Sequence, residues 1–338
     1  MNMRETLLCE KLSENKVQCQ TCPHYCVIES KKRGKCGVRE NKGGTLYSLV
    51  YGRAAAINID PIEKKPFFHF LPGTETFSIG TVGCNLACEN CQNWNISQLP
   101  KGNGLIKGEE LTPEKIVAMA IQYRCPSISY TYNEPTVFLE YALDTMKLAK
   151  KKGLRNCWVS NGYISNETLG VVTPFLDAIN IDLKSFSNNV YREKYKASLQ
   201  PILNALTILK KRGVWVEVTT LAIPNVINEK TLAKIAKFIK NKLGAKTPWH
   251  ISKFFPEISW KLRHLCSTPI ELIERGCNIG METGLKYVYG GNVPGFASED
   301  TYCPNCSEKM IDRTGYYIER KDINGKCSNC KEDLNIID

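Results

Sequence analysis

The chain of 338 residues is 43% hydrophobic and 23% charged, which excludes wholesale disorder and allows one domain of about 200 to 250 residues with smaller modules beside it. Its formal net charge of +11 comes largely from lysines on predicted helix faces, which indicates a solvated surface rather than a nucleic-acid footprint. No run of eighteen apolar residues occurs, and residues 1–16 lack the apolar core of a signal peptide, so we expect a cytoplasmic protein without membrane contact.

Sixteen cysteines are the unusual feature of the composition. Eleven of them fall into three groups with metal-ligand spacing, which indicates a reducing compartment rather than a disulfide scaffold. The other five are scattered, and we predict small buried side chains without a functional role at Cys9, Cys125, Cys157, Cys266 and Cys277.

Residues 1–75 are predicted to form a Cys-rich N-terminal module. It supplies four thiols, at Cys19, Cys22, Cys26 and Cys36. These thiols can close a zinc site or bind a second iron–sulfur cluster, and the mismatch with the ferredoxin spacing C-x2-C-x2-C-x3-C favours zinc. His24 lies in the same stretch and is an alternative ligand.

Residues 76–295 alternate short β-branched or aromatic runs with helical patterns, which predicts parallel strands joined by crossover helices. The predicted strands are 76–81, 127–131, 157–160, 178–183, 214–221, 250–254 and 285–289. Thr112 and Pro113 are typical of a helix start, as is Asn228. No GxGxxG follows the first strand, so an α/β fold with a partial (β/α) barrel is favoured over a dinucleotide-binding fold.

Cys84, Cys88 and Cys91 follow the first of these strands with the spacing C-x3-C-x2-C. Three thiolates on one short loop suit an iron–sulfur cluster, and the missing fourth ligand leaves one iron open to a reacting molecule. Three reduced thiols without a metal, or three ligands of a structural zinc, are the alternatives.

Polar residues follow the next three strands as well, namely Glu134, Asn161, Asp182 and Lys184. Each is unremarkable alone, because an Asp-x-Lys is often a surface pair and an Asn-Gly is often a plain turn. The loops at the carboxyl ends of barrel strands build the active site in folds of this kind, so we expect these side chains in one pocket with the cysteines.

Residues 296–338 contain two C-x2-C knuckles, formed by Cys303, Cys306, Cys327 and Cys330. This spacing predicts a zinc ribbon in which four thiolates close the coordination sphere around a structural ion. A rubredoxin-like iron site or a recognition ribbon is the alternative.

The C-x3-C-x2-C loop resembles the signature of the radical S-adenosylmethionine (SAM) enzymes, in the branch related to pyruvate formate-lyase activating enzyme. Residues 83–94, 130–135 and 287–294, with the ribbon behind them, are similar to the radical SAM enzyme of the AmmeMemoRadiSam system. The resemblance implies a partial barrel of the radical SAM type and a 4Fe-4S cluster that chelates SAM. One electron then breaks a carbon–sulfur bond, giving methionine and a 5′-deoxyadenosyl radical.

The cofactor-binding residues that the resemblance implies are Glu134, Asn161, Asp182, Lys184 and His250. Glu134 would receive the SAM ammonium group, and Lys184 would pair with the SAM carboxylate. His250 would contact the nucleoside. Asn90 occupies a position where many members of the family carry an aromatic ring.

The expected function is reductive cleavage of SAM, with a radical that acts on an unidentified protein or small molecule. The resemblance implies AMMECR-type and MEMO-type partner proteins and a one-electron donor such as flavodoxin or ferredoxin, while a nucleic-acid partner is not expected. The alternatives are an RNA-modifying radical enzyme, suggested by the ribbon and a pI near 8.9, and an electron-transfer iron–sulfur protein.

Overall fold

The computed structural model describes residues 3–293 and 297–338, in which an eight-stranded, mainly parallel sheet is the central element. Its strands, numbered in chain order, are β1 (Ala56–Pro61), β2 (Glu75–Gly80), β3 (Ser127–Tyr130), β4 (Arg155–Ser160), β5 (Ala178–Asp182), β6 (Trp215–Ala222), β7 (Trp249–Lys253) and β8 (Val288–Gly291). Each strand pairs with its neighbours in chain order, and β2 to β8 are all parallel. The predicted α/β fold is confirmed.

The crossover helices are α1 (Pro113–Gln122), α2 (Leu139–Lys151), α3 (Asn166–Val172), α4 (Leu199–Lys211), α5 (Glu229–Phe238) and α6 (Ile270–Thr283). The predicted helix starts are confirmed, because Thr112 Oγ1 accepts a hydrogen bond from the amide of Lys115 (3.3 Å) and Asn228 Oδ1 accepts one from Thr231 (3.0 Å). No helix in the described part of the chain is long and apolar enough to cross a bilayer.

Several shorter helical turns lie between these elements. They are Ile62–Lys64, Trp94–Ser97, Lys101–Asn103, Pro135–Phe138, Asn188–Val190, Tyr191–Tyr195, Ile239–Leu243, Pro256–Ile258 and Ala297–Glu299. The turn at Ile239–Leu243 extends α5, and the chain leaves it at Gly244, whose φ of +104° suits a residue without a Cβ.

Strand β1 is the antiparallel edge of the sheet, and Ala56 pairs with Gly80 of β2. The predicted boundary between residues 75 and 76 lies at the start of β2 and separates these two paired strands, and the domain division stays a prediction. An antiparallel edge strand needs no crossover helix, so the alternation that located the other strands did not include it. The predicted boundary between residues 295 and 296 lies outside the described residues.

The N-terminal module consists of short antiparallel strands. They are Arg4–Glu5, Cys9–Lys11, Val17–Cys19, Val27–Ile28, Arg39–Lys42, Thr45–Ser48 and Arg53–Ala54, the last of which pairs with Glu109–Glu110. The module is anchored to α2 by a buried ion pair, in which the Arg39 guanidinium donates to both carboxylate oxygens of Glu140 at 3.0 and 2.9 Å. A bidentate pair of this kind fixes orientation as well as distance.

The C-terminal ribbon comprises Thr301–Tyr302, Lys309–Thr314 and Tyr317–Arg320, and it packs against the segment that joins β1 to β2. Arg313 donates to the carbonyl of Phe68 (2.8 Å) and lies over its ring at 4.2 Å, while the amide of Ile337 donates to the carbonyl of His69 (2.8 Å). The same segment is held to the sheet by Glu217 of β6, which accepts both amide protons of Phe68 and His69 at 3.0 Å. The ribbon is therefore continuous with the packing of the barrel.

Candidate iron–sulfur and SAM site

The cysteine loop begins directly after β2 and carries three free thiols, with Cys84 and Cys88 buried and Cys91 half-buried. Gly83 enters the loop with φ +96°, and a Cβ there would lie 2.6 Å from the side chain of Val38. Only glycine fits this approach to the N-terminal module, because another residue would meet both the strained φ and the clash. The loop geometry therefore depends on that module.

Burial controls the chemistry of these thiols. Burial, and after it the carboxylate of Glu134, hold the pKa of Cys84 well above its usual range. Burial raises the pKa of Cys88 to about 12, although the nearby Lys184 ammonium acts in the opposite direction. Buried thiols of this kind ionise when they bind a metal cation, so the donor set fits a cluster held by three thiolates.

Glu134 follows β3 and is fully buried, where it joins two strand ends. Its Oε1 accepts from the amide and hydroxyl of Thr136 (3.1 and 2.6 Å) and from the hydroxyl of Ser160 (2.9 Å). Its Oε2 accepts from the amide of Asn161 (2.8 Å). Burial raises the pKa of Glu134, and these four hydrogen bonds oppose that effect.

Asn161 connects this carboxylate to the cysteine loop. Its Nδ2 donates to Asn85 Oδ1 (2.8 Å) and lies 3.7 Å from Cys84 Sγ. Asn133, next to Glu134, donates to the carbonyl of Gly83 (2.6 Å). The structure thus brings the ends of β2, β3 and β4 together, in agreement with the placement expected from the sequence.

Asp182 and Lys184 form an ion pair at the end of β5, with 2.7 Å between Lys184 Nζ and Asp182 Oδ2. The lysine side chain is 13% exposed and that of the aspartate 39%, so the carboxylate faces solvent more than the ammonium does. Burial lowers the pKa of Lys184, but the attraction of Asp182 and then of Cys88 outweighs it, and the pKa lies above its usual range. A fixed cation therefore lies beside the cysteine loop.

A family model described as the radical SAM superfamily matches residues 78–239, the stretch that contains the end of β2, the cysteine loop and β3 to β6. The chain therefore contains a radical SAM superfamily domain. The family implies a 4Fe-4S cluster and SAM at this site.

The chain is also similar to proteins of Methanocaldococcus jannaschii. The uncharacterized protein MJ0808 is 46% identical over 341 residues, covering 99% of this chain and 100% of that protein. The putative glycyl-radical enzyme activating enzyme MJ1632 is 24% identical over 179 residues, covering 50% of this chain and 64% of that protein. Among solved structures, Streptococcus suis SuiB bound to the precursor peptide SuiA has a TM-score of 0.51 at 9% identity, covering 69% of this chain and 52% of that one, and shares the fold.

His250, which follows the matched residues, lies in a different environment from the one that its predicted role requires. It is 2% exposed, its Nε2 is 2.7 Å from Glu217 Oε2, and its ring stacks on Tyr289 and meets Phe68 edge-on. These neighbours belong to the face covered by the β1–β2 segment rather than to the cysteine loop. The predicted contact with the nucleoside stays a prediction.

Two groups of residues near the site were not predicted from the sequence. Lys101 donates to the carbonyl of Leu86 in the cysteine loop (2.5 Å), and no spacing pattern marks it. Asp60 Oδ2 lies 2.6 Å from Lys65 Nζ and 2.5 Å from the hydroxyl of Tyr132, two positions before Glu134, and burial lowers the pKa of Lys65 to about 8. The contact between Asp60 and Tyr132 joins residues 72 positions apart, so only the folded structure reveals it.

The ribbon cysteines form a compact metal-ligand group. Cys303, Cys306, Cys327 and Cys330 place their sulfur atoms within 4.8 Å of one another, with 3.5 Å between Cys303 and Cys330 and 3.6 Å between Cys306 and Cys327. Four thiolates around one ion at about 2.3 Å are separated by about 3.8 Å, so this group suits a tetrahedral metal.

The N-terminal cysteines Cys19, Cys22, Cys26 and Cys36 line one small cavity. His24 also lines it, but its Nε2 is 2.8 Å from the carbonyl oxygen of Asn85 and its Nδ1 is 3.4 Å from Lys35 Nζ. Both ring nitrogens are thus engaged, so His24 is a poor replacement for a cysteine ligand.

Proposed function

We propose that this chain is a radical SAM enzyme that cleaves SAM reductively and directs a 5′-deoxyadenosyl radical at an unidentified protein or small-molecule substrate. The observation that carries the proposal is the convergence of three free, buried or half-buried thiols with Asn161 and the Asp182–Lys184 pair at the carboxyl ends of parallel strands. When bound, a 4Fe-4S cluster at Cys84, Cys88 and Cys91 supplies the electron and an open iron for SAM.

The side chains around the loop have separate tasks in this proposal. Lys184 offers a fixed ammonium to the SAM carboxylate, and Asp182 holds that ammonium in place. Glu134 positions Asn161 by accepting a hydrogen bond from the backbone amide of Asn161. Because Oε2 of Glu134 accepts only this one hydrogen bond among the described residues, it keeps the capacity to receive the SAM ammonium group.

Asn90, in the same loop, has an unpaired polar atom that is consistent with ligand binding there. Its Oδ1 is buried and has no hydrogen-bond partner within the described chain. An unpaired buried acceptor costs about 1 to 3 kcal/mol, which a donor group on a bound ligand would recover. The amino group of an adenine ring has the required chemistry.

Electron paramagnetic resonance (EPR) of the anaerobically reconstituted and reduced protein tests the site. We expect a reduced-cluster signal that changes when SAM is added, because SAM would ligate the open iron. The change should disappear when Cys84, Cys88 and Cys91 are all replaced by Ala. The predicted burial of Cys266 is wrong, since this cysteine is exposed, so Cys266→Ala is the control and should behave like the parent. A SAM-dependent signal that survives in the triple variant would remove these cysteines from the site.

We further propose an activating-enzyme-like subtype, in which the substrate is a partner protein. The partial likeness to the putative activating enzyme MJ1632 supports this choice, and the resemblance to the AmmeMemoRadiSam enzyme points to AMMECR-type and MEMO-type proteins as candidates. Deuterium transfer into 5′-deoxyadenosine from a deuterated candidate protein would identify the substrate. Transfer from a small molecule alone would refute the subtype while leaving SAM cleavage intact.

A further inference from the structure

The N-terminal cysteines line a common void. The cavity between them has a volume of about 20 Å³ and is lined by Cys19, Cys22, Cys26 and Cys36. A void of this size exceeds the space that one water molecule needs. The four side chains therefore share one space, which lies where the N-terminal module meets Asn85, Thr136 and Val137.

The distances between the thiols distinguish a site for a single metal ion from a site for a cluster. Among the described residues, the ribbon thiols form the one group of histidine, cysteine or acidic side chains whose ligand atoms all lie within 4.8 Å, as a single tetrahedral ion requires. The N-terminal thiols do not meet this condition, and neither do Cys84, Cys88 and Cys91. In a four-iron cluster each thiolate binds a different iron, so its ligands stand farther apart than four ligands of one ion.

The N-terminal cavity adjoins the catalytic loop. Asn85, the residue after Cys84, lines the cavity, and its carbonyl oxygen is 2.8 Å from Nε2 of His24. The carbonyl oxygen of Cys36 lies 3.0 Å from the position that a Cβ on Gly83 would occupy. The two cysteine sets are thus separated by only a few side chains.

We propose that Cys19, Cys22, Cys26 and Cys36 hold a second 4Fe-4S cluster, which passes single electrons to the cluster at Cys84, Cys88 and Cys91. A one-electron donor protein of the flavodoxin or ferredoxin class is oxidised as the N-terminal cluster is reduced. The electron then moves to the catalytic cluster and finally to the SAM sulfonium, whose carbon–sulfur bond breaks. The N-terminal cluster returns to its oxidised state, and one electron is consumed for each SAM cleaved. The metal assignment stands without the proposed function, whereas the relay rests on it.

Metal analysis of the anaerobically reconstituted full chain tests the assignment. We expect about eight iron atoms and one zinc per chain, against about four iron atoms and two zinc if the N-terminal site binds zinc. The Cys84/Cys88/Cys91→Ala variant should retain about four iron atoms, held at the N-terminus. This variant keeps the proposal testable even if Cys19→Ser and Cys22→Ser prevent folding of the small module.

About four iron atoms and two zinc in the parent protein, with one zinc lost in the Cys19/Cys22→Ser variant, would overturn the second cluster and leave the proposed function standing. A parent protein without iron would contradict both. The relay has its own measurement, which is rapid-freeze EPR of the catalytic cluster after mixing with reduced flavodoxin. We expect fast reduction of the catalytic cluster in the parent and slow reduction in the Cys22→Ser variant. Equal reduction rates would exclude the relay.

Discussion

Glu134 and Asn161 show how single side chains assemble the site from separate strands. Glu134 accepts four hydrogen bonds from residues after β3 and at the end of β4, and Asn161 carries that arrangement to Cys84. The carboxylate is inaccessible to water, so its partners depend on its charge and on both of its oxygen atoms. A change here should affect the cofactor without any direct loss of a cluster ligand.

We predict that Glu134→Gln weakens SAM binding by about tenfold or more, since a hydrogen bond to a charged group contributes about 1.5 to 3 kcal/mol. Iron content should remain at the parent level. Equilibrium binding of SAM to the reconstituted protein measures the effect. Ser160→Ala is the matched control, because it removes one of the four hydrogen bonds and keeps the carboxylate. Parent-like affinity in a folded Glu134→Gln variant would exclude Glu134 from SAM binding.

His69 provides a prediction about pH. Burial lowers its pKa to about 4, although the Glu217 carboxylate acts in the opposite direction, and the ring lies 2.6 Å from the hydroxyl of Tyr289 and 3.0 Å from the carbonyl oxygen of Leu334. In an unfolded chain the pKa of histidine is about 6.5. Between pH 6.5 and 4 the unfolded state therefore binds a proton at this ring, whereas the folded state does not. Acidification through this window therefore destabilises the fold.

From this linkage we expect the His69 ring to account for about 2 kcal/mol of lost stability between pH 7 and pH 5. Thermal unfolding at the two pH values measures it, with His69→Gln as the variant. The decrease in melting temperature on acidification should be smaller in the variant than in the parent protein. Equal decreases would mean that the ring is already protonated at neutral pH or does not control the transition.

Secondary-structure elements were largely predictable because the chain repeatedly alternates a short apolar strand with an amphipathic helix. The caps at Thr112 and Asn228 and the strands β2 to β7 lie within a few residues of their predicted positions. The last strand is displaced, since 285–289 was expected and Val288–Gly291 is found. Gly284 ends α6 in a left-handed conformation. The residues after it form the connection to β8, so the strand begins later than predicted.

Contacts between distant elements could not be predicted in the same way. The convergence of the strand-end residues follows from parallel topology, so Asn161 was expected near Cys84. The partners of His250 were not expected, because Glu217 is also held by Phe68, which lies far away in sequence on the β1–β2 segment. A sequence pattern marks a strand end, but it does not show which loop folds over the opposite face.

The ribbon illustrates the dependence of one element on a metal. Its hydrophobic cluster is small, consisting of the buried residues Cys303, Met310, Ile311, Cys327 and Leu334. So little apolar surface does not stabilise an independent unit, and metal coordination has to contribute. Deletion from Tyr302 onward would also remove Arg313 and uncover Phe68, so point variants test the metal more cleanly than truncation.

We predict that Cys303→Ser combined with Cys306→Ser removes about one zinc per chain and lowers the melting temperature, while the iron at Cys84, Cys88 and Cys91 remains. Metal analysis and thermal unfolding measure the two effects. The same substitution at the exposed Cys266 should change neither quantity. Retention of all zinc in the double variant would place that metal elsewhere.

At the scale of the whole molecule, both small modules are fastened to the barrel by buried arginines. Arg39 binds Glu140 on α2, and Arg313 donates to the carbonyl of Phe68 on the β1–β2 segment. The N-terminal module also touches the catalytic loop through Val38 and Gly83. The chain therefore positions its cysteine groups within one packed unit, with the loop of Cys84, Cys88 and Cys91 next to the N-terminal group.

Formation of 5′-deoxyadenosine tests the central claim most directly. The reconstituted protein is reduced anaerobically with SAM present, and the nucleoside is quantified by liquid chromatography and mass spectrometry. We predict that the parent protein forms 5′-deoxyadenosine and methionine in equal amounts and that the Cys84/Cys88/Cys91→Ala variant forms neither. Equal formation by the parent and the triple variant, or none by a parent protein with a full complement of iron, would contradict the account.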